Sequence, residues 1–220
     1  MIKIFHPDRL TSQPFFQELI NFLYPDKTVT LRQIKQAFPS IVKIDRFIED
    51  YVQAGYLFRN NRRYSLTLPL VTEESIVGLD DMVFVDTESP LYRSLLARTF
   101  TTVLTNQTNQ ALLLERTSLD RSEATLANYF YGLRQSRPLP DSLQPLYHLL
   151  GDVNQEYALK YMTTFLLKFG RRSEVSQKRP DIFVQALELL GYIAKNGSGR
   201  YELLLEFFEE ELTFRTKINP

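Results

Sequence analysis

Apolar residues recur at helical spacing in two stretches of the chain that share one plan. In residues 44–68, Ile44, Phe47, Ile48, Tyr51 and Val52 stand at i, i+3, i+4, i+7 and i+8, a single stripe along an amphipathic helix. Burying such side chains contributes roughly 1.5–3 kcal/mol each, so packing rather than propensity holds this helix. Gly55 follows the stripe, where a left-handed helix stop costs least because glycine has no Cβ. Asn60-Asn61 tolerates the positive φ of a two-residue hairpin turn. Tyr64, Leu66 and Leu68 then alternate with polar residues, as in a strand with one buried face. Residues 180–207 restate the plan. Ile182, Phe183, Ala186, Leu187 and Leu190 form the stripe, Gly191 the stop, and Asn196-Gly197-Ser198-Gly199 a looser turn. Gly55-Tyr56-Leu57 corresponds to Gly191-Tyr192-Ile193, and Arg63-Tyr64 to Arg200-Tyr201.

Helix, Gly-aromatic-aliphatic, basic loop and Arg-Tyr-x-Leu make up the pattern of the last helix and wing of a winged-helix domain. The residues before the first copy supply the rest. A short strand is expected at 2–5. Ser12 is a helix N-cap and Pro14 suits the first turn, with Phe15, Phe16, Leu19, Ile20 and Leu23 as the stripe and an end near Pro25. Residues 28–30 are β-prone and 31–38 read as a short helix stopped at Pro39. Residues 1–70 are therefore expected to form an N-terminal winged-helix-like domain.

Residues 71–81 read as a connector. A short strand is expected at 82–85, and Ser89-Pro90 caps a helix to about Arg98. Residues 99–104 and 111–115 are expected to pair as strands across 106–109, and Asp120 or Ser122 to cap a helix running to Gln135. This makes 71–137 a small β-α-β-β-α insert. A helix from Asp141 to Leu150 and a longer one from Asn154 to Phe169 lead into the second copy, with a last strand at 213–215. Residues 138–220 form a second winged-helix-like domain. The predicted class is α+β, mostly helical, with two such modules flanking a small mixed insert.

The chain contains no cysteine and only His6 and His148, which removes disulfides, thiol chemistry and a histidine metal cluster from consideration. No metal or cofactor is expected. The N-terminal residues lack a signal-peptide apolar region and no apolar run approaches membrane-spanning length, so a cytoplasmic setting is expected.

Three further segments carry a family resemblance. These are Gln53-Ala54-Gly55-Tyr56 with Arg63-Tyr64, the run from Leu126 through Ala127, Asn128, Tyr129 and Phe130 to Tyr131, and Gly151-Asp152-Val153-Asn154 with the segment 156–168. On them the chain resembles an uncharacterised, domain-of-unknown-function family of Gram-positive bacteria. That resemblance implies a bacterial cytoplasmic setting and no particular activity, cofactor or site.

Motifs that resemble catalytic ones have plainer readings. Asp86-Thr87-Glu88-Ser89 lacks the Asp-x-Asp that phosphatase-type chemistry requires and reads as a helix start. Leu114-Glu115-Arg116-Thr117 lacks the lysine of a metal-dependent nuclease strand and reads as an edge-strand charge pair. His148, among Leu146, Tyr147, Leu149 and Leu150, reads as a helix-packing residue. Gly197-Ser198-Gly199 is a turn. A non-enzymatic binding role is expected, with an enzyme of unrecognised site the least favoured reading.

Charge separates the segments. Residues 1–70 hold ten Lys and Arg against six Asp and Glu, whereas the whole chain is neutral with 26 of each. Arg59, Arg62 and Arg63 on the first wing, with Lys43 and Arg46 on the helix, form the candidate nucleic-acid contact, wings being suited to phosphate or minor-groove binding. Asp45, Glu49 and Asp50 on the same helix oppose a polyanion. The second copy offers Asp181, Gln185 and Glu188 instead, and leaves Val184 and Leu189 outside its stripe as a candidate protein interface. Two partners are therefore expected: duplex DNA, or alternatively a protein partner or second copy of the chain.

Overall fold

The computed structural model describes residues 1–25, 27–73, 77–136 and 138–217; residues 74–76 of the expected connector lie outside them. The fold is α+β, with eight α-helices and several small sheets among the described residues. The chain divides into two compact units, Met1–Arg98 and Thr99–Pro220.

In the first unit, β1 (Ile2–Phe5) leads to α1 (Pro14–Leu23), which Pro14 opens and which buries Phe15, Phe16, Leu19, Ile20 and Leu23. Gln13, not Ser12, is the N-cap, and no side chain caps this helix. β2 (Val29–Thr30) runs directly into α2 (Leu31–Ala37), where Thr30 and Gln33 form a reciprocal capping box. α3 (Ile44–Gln53) buries Ile44, Ile48 and Tyr51. β3 (Leu57–Asn60) and β4 (Arg63–Leu66) form the hairpin, and the sheet order is β2-β4-β3. The Tyr51 ring meets Phe16 edge-on at 4.9 Å, and Tyr56 meets the same ring at 5.2 Å. β5 (Val83–Asp86) pairs antiparallel with β1, and Ser89 caps α4 (Pro90–Ala97).

The hairpin turn is one residue later than the sequence suggests. Asn60 pairs with Arg63, so Asn61 and Arg62 are the turn residues, at φ 48° and 60°. Moving the turn by one residue shifts the pairing by two, so Leu57 and Tyr64 share one face in either register, and both are buried.

The second unit opens with β6 (Thr99–Thr105) and β7 (Leu112–Ser118), an antiparallel pair in the expected region. α5 (Leu126–Gln135), α6 (Gln144–Leu150) and α7 (Gln155–Leu166) follow, with 3-10 turns before α6 and after α7. Next come β8 (Glu174–Val175), α8 (Ile182–Leu189), β9 (Ile193–Lys195) and β10 (Tyr201–Leu203), the strands in the order β8-β10-β9. β11 (Glu206–Phe208) and β12 (Thr213–Arg215) join the earlier pair in the order β11-β12-β7-β6, with β12 parallel to β7. The cap of α5 is Thr125 rather than Asp120 or Ser122; Asp120 instead accepts hydrogen bonds from the Ser118 hydroxyl and the Ser122 N–H.

The helix stops of α3 and α8 share their hydrogen bonds. Gly55 N–H donates to Val52 and Tyr56 N–H to Tyr51; Gly191 N–H donates to Glu188 and Tyr192 N–H to Leu187. Both are Schellman motifs, with glycine φ of 80° and 71°. Each is followed by a return contact, Thr67 N–H to Tyr56 O and Leu204 N–H to Tyr192 O.

Candidate nucleic-acid interface

The exposed side of α3 is organised by two ion pairs. Lys35 on α2 meets Asp45 at 2.7 Å, and Arg59 on β3 meets Glu49 at 2.7 Å. Both pairs are well exposed, so each contributes little to stability. Their larger effect is on the charge α3 presents: two of its three acids are matched within the protein. Hydrogen bonds to Tyr64 and to Glu49 hold the Arg59 guanidinium above its ordinary pKa, so Arg59 braces the hairpin against α3.

Arg62 and Arg63 extend beyond this brace on the hairpin, both exposed. Arg59, Asn60, Asn61 and Arg62 line a recess of about 530 Å³ with Leu31 and Tyr64. At the other end of α3, Lys43 is the N-cap and its side chain makes no capping bond. Lys43 and Arg46 line a second recess of about 390 Å³ together with Arg9, Gln13, Phe47 and Asp50. Of the five expected basic residues, Arg59 and Arg62 line one recess and Lys43 and Arg46 the other, with Arg63 next to Arg62 on the hairpin. Arg9 is an addition that the sequence did not single out, because it precedes α1 and joins Lys43 and Arg46 only through tertiary packing.

Two of these basic residues hold left-handed backbone. Lys43 has φ 60° and Arg62 φ 60°. Such angles are uncommon for residues with a Cβ, and glycine or asparagine meets them at less cost.

The two expected interface residues of the second unit separate. Leu189 is 51 % exposed, but Val184 is 3 % exposed and belongs to the core. A single-stripe reading fails here because α8 packs against both α6 and α7, so its apolar arc is wider than one face. Ile182, placed in the stripe, is exposed instead.

The chemistry-like motifs resolve as follows. Asp86 accepts hydrogen bonds from the Tyr24 hydroxyl at 2.8 Å and from Glu88 N–H at 3.2 Å, beside the Ser89 cap; the Tyr24 bond is foremost in lowering its pKa. β7 is not an edge strand, since β12 and β6 flank it. Glu115 is fully buried, so the charge-pair reading is replaced by a buried carboxylate at the start of α5. It accepts from the N–H groups of Leu126 and Ala127 at 3.1 and 2.7 Å and from the Tyr192 hydroxyl. His148 is exposed, with Nδ1 2.7 Å from the Gln144 carbonyl of its own helix, so it does not pack in the core. Asn196 Oδ1 accepts from Ser198 and Arg200 N–H groups, which closes the second hairpin turn. Among the described residues no group of three or more His, Cys, Asp or Glu is placed to hold a metal ion, and no helix is long and apolar enough to cross a membrane.

Residues 2–98, nearly the whole first unit, match a protein family described as a domain of unknown function (DUF1803). No curated protein and no solved structure matches the chain.

Proposed function

We propose that residues 1–70 form a winged-helix module and that the protein binds duplex DNA through it, as a regulatory rather than catalytic protein of the bacterial cytoplasm. The element order α1-β2-α2-α3-β3-β4 and the strand order β2-β4-β3 support the module. The observation that carries the binding reading is the charge around α3. Lys35 and Arg59 occupy Asp45 and Glu49, while Arg62 and Arg63 stand at one end and Arg9, Lys43 and Arg46 at the other. A helix fits the major groove of duplex DNA. With α3 so placed, the two basic groups reach the phosphate backbone on either side of it, and the wing is suited to backbone or minor-groove contact. Residues 180–207 are read as an internal repeat of the helix and hairpin, supported by the shared helix stops, and as a structural rather than DNA-contacting copy.

Titration of fluorescently labelled duplexes of mixed sequence, at low and moderate salt, tests the reading. Binding that weakens steeply with salt is expected. Absence of binding even at low salt would overturn it.

A protein-contact role is the second reading, favoured by exposed aromatic surface on the second unit. Tyr161 stacks on Phe183 with centroids 5.3 Å apart, and Tyr157 packs on Tyr161 at 4.7 Å, both tyrosines being exposed. Light scattering over a concentration series, with Leu189→Glu as comparison, tests it: a mass that rises with concentration and falls in the variant supports self-association.

A further inference from the structure

The second unit contains a basic, apolar-walled cavity that the DNA reading does not use. It measures about 580 Å³ and is lined by Lys168, Arg171, Arg172, Phe207, Leu212 and Glu209, with Gly170 and Thr164. Its walls come from the end of α7, the 3-10 turn after it, and the loop between β11 and β12. Among the described residues none of the three cations forms a salt bridge; Lys168 lies over the Phe165 ring at 4.8 Å, and Glu209 is unpaired with any of them. Three cations thus converge with one acid on a concave surface.

One backbone feature keeps this surface open. Gly170 has no left-handed φ that would demand glycine, yet a Cβ there would stand 3.1 Å from the Phe207 ring and 3.5 Å from Glu209 Oε1. Glycine at this position therefore serves space rather than conformation. Leu212, which also lines the surface, is exposed and holds φ 47°, a costly conformation for a bulky residue.

We infer that this cavity binds a small phosphorylated molecule with an apolar or aromatic body, of about mononucleotide size. Its volume is in the range of small-ligand sites, about 300–1,000 Å³. Guanidinium and ammonium groups favour phosphate oxygens, and Leu167, Phe207 and Leu212 supply an apolar wall for the remainder. A recess of this size with an apolar wall matches one small ligand, as most small-molecule sites are concave and largely apolar.

The test is isothermal titration of the full chain with ATP, AMP, pyrophosphate and adenosine at low salt, repeated with Arg171→Ala/Arg172→Ala and Gly170→Ala. Circular dichroism and thermal melting establish that each variant is folded, and Lys168→Gln replaces any that is not. ATP or AMP is expected to bind at least about tenfold more tightly than adenosine or pyrophosphate, and the arginine variant to lose at least about tenfold, since each charge-assisted contact is worth about that factor. Gly170→Ala is expected to weaken binding by narrowing the cavity. Absence of nucleotide binding, or binding unchanged in all folded variants, overturns the inference. So does equal affinity for pyrophosphate, which would mark a bare anion site, or loss of duplex DNA affinity alone in the arginine variant, which would mark a polymer contact. Because the site lies in the second unit, failure here leaves the DNA reading of the first unit standing.

Discussion

The hydroxyl of Tyr192 donates to the carboxylate of Glu115, a residue 77 positions earlier, and both side chains are buried. Tyr192 follows the helix stop of α8, and Glu115 lies on β7, so the contact ties the second hairpin module to the four-stranded sheet. The same carboxylate accepts the N–H groups of Leu126 and Ala127, at the helix end where a negative charge is favoured. Burial nevertheless dominates, and it raises the Glu115 pKa above the ordinary value of 4.5.

Glu115 therefore gives the second unit a pH dependence with a definite sign. Its folded-state pKa is raised, so its contribution to stability is fully present below the ordinary glutamate pKa and is lost as pH rises through the folded value. Urea unfolding of the wild type and Glu115→Gln across the range from 4.5 to neutrality should show their stability difference changing with pH in that direction. A difference independent of pH would contradict the assignment.

Tyr192→Phe should destabilise the protein by about 1–3 kcal/mol, because it removes a donor from a buried carboxylate. Glu115→Ala should cost more, leaving the tyrosine hydroxyl and two helix N–H groups without their acceptor. The double variant should cost less than the sum of the singles, as residues in one network couple. Additive losses in chemical denaturation would show that the contact carries no energy.

Gly55→Ala and Gly191→Ala should each cost about 1 kcal/mol through backbone conformation alone. No atom lies within 4 Å of a Cβ built at either glycine, so sterics should add nothing. Thermal melting compares the two; a neutral Gly55→Ala would mean that the helix stop relaxes freely.

Arg62 separates stability from binding. Arg62→Gly should stabilise the hairpin by up to about 1 kcal/mol by relieving the left-handed backbone, yet weaken DNA binding. Arg62→Ala with Arg63→Ala should lower the slope of log affinity against log salt by about 0.9 for each lost phosphate contact, for all sequences alike. A slope unchanged in anisotropy titrations would remove the wing from the interface.

Glu49→Gln should strengthen DNA binding twice over, by removing a charge from α3 and by releasing Arg59 from its ion pair. Asp45→Asn should act through the first effect only, with Lys35 released on the α2 side. Parallel titrations at one salt concentration distinguish them, and a weaker Glu49→Gln complex would show that the Arg59 brace matters more than the charge.

Local chemistry was legible in the sequence, and partnership across the chain was not. The α3 helix, both glycine stops and the presence of both hairpins depend on spacing within a few residues, and the structure contains them. The turn falls at Asn61-Arg62, one position after the Asn60-Asn61 that local turn preference suggests. The sequence offered Asp120 or Ser122 as the cap of α5; Thr125 caps it instead, where the next two N–H groups meet the Glu115 carboxylate. Val184 was misplaced because a stripe assumes one covered face and α8 has two neighbours. The Arg59–Glu49 and Lys35–Asp45 pairs each join residues ten positions apart on different elements, so the charges of α3 read as exposed until the helix and hairpin were docked.

The parallel docking of β12 on β7 sets an order of events during synthesis. The β6–β7 pair is complete by Ser118, but the strand beside Leu112, Leu113 and Leu114 arrives only with Thr213–Arg215. Until then that side of β7 is an open template with an apolar flank, the kind of surface on which nascent chains misassociate. The first unit has no such wait beyond Asp86, whose strand closes on β1. A ribosome-bound chain arrested after the first unit should therefore be folded and quiet, whereas one arrested between β10 and β12 should be the species that chaperones hold.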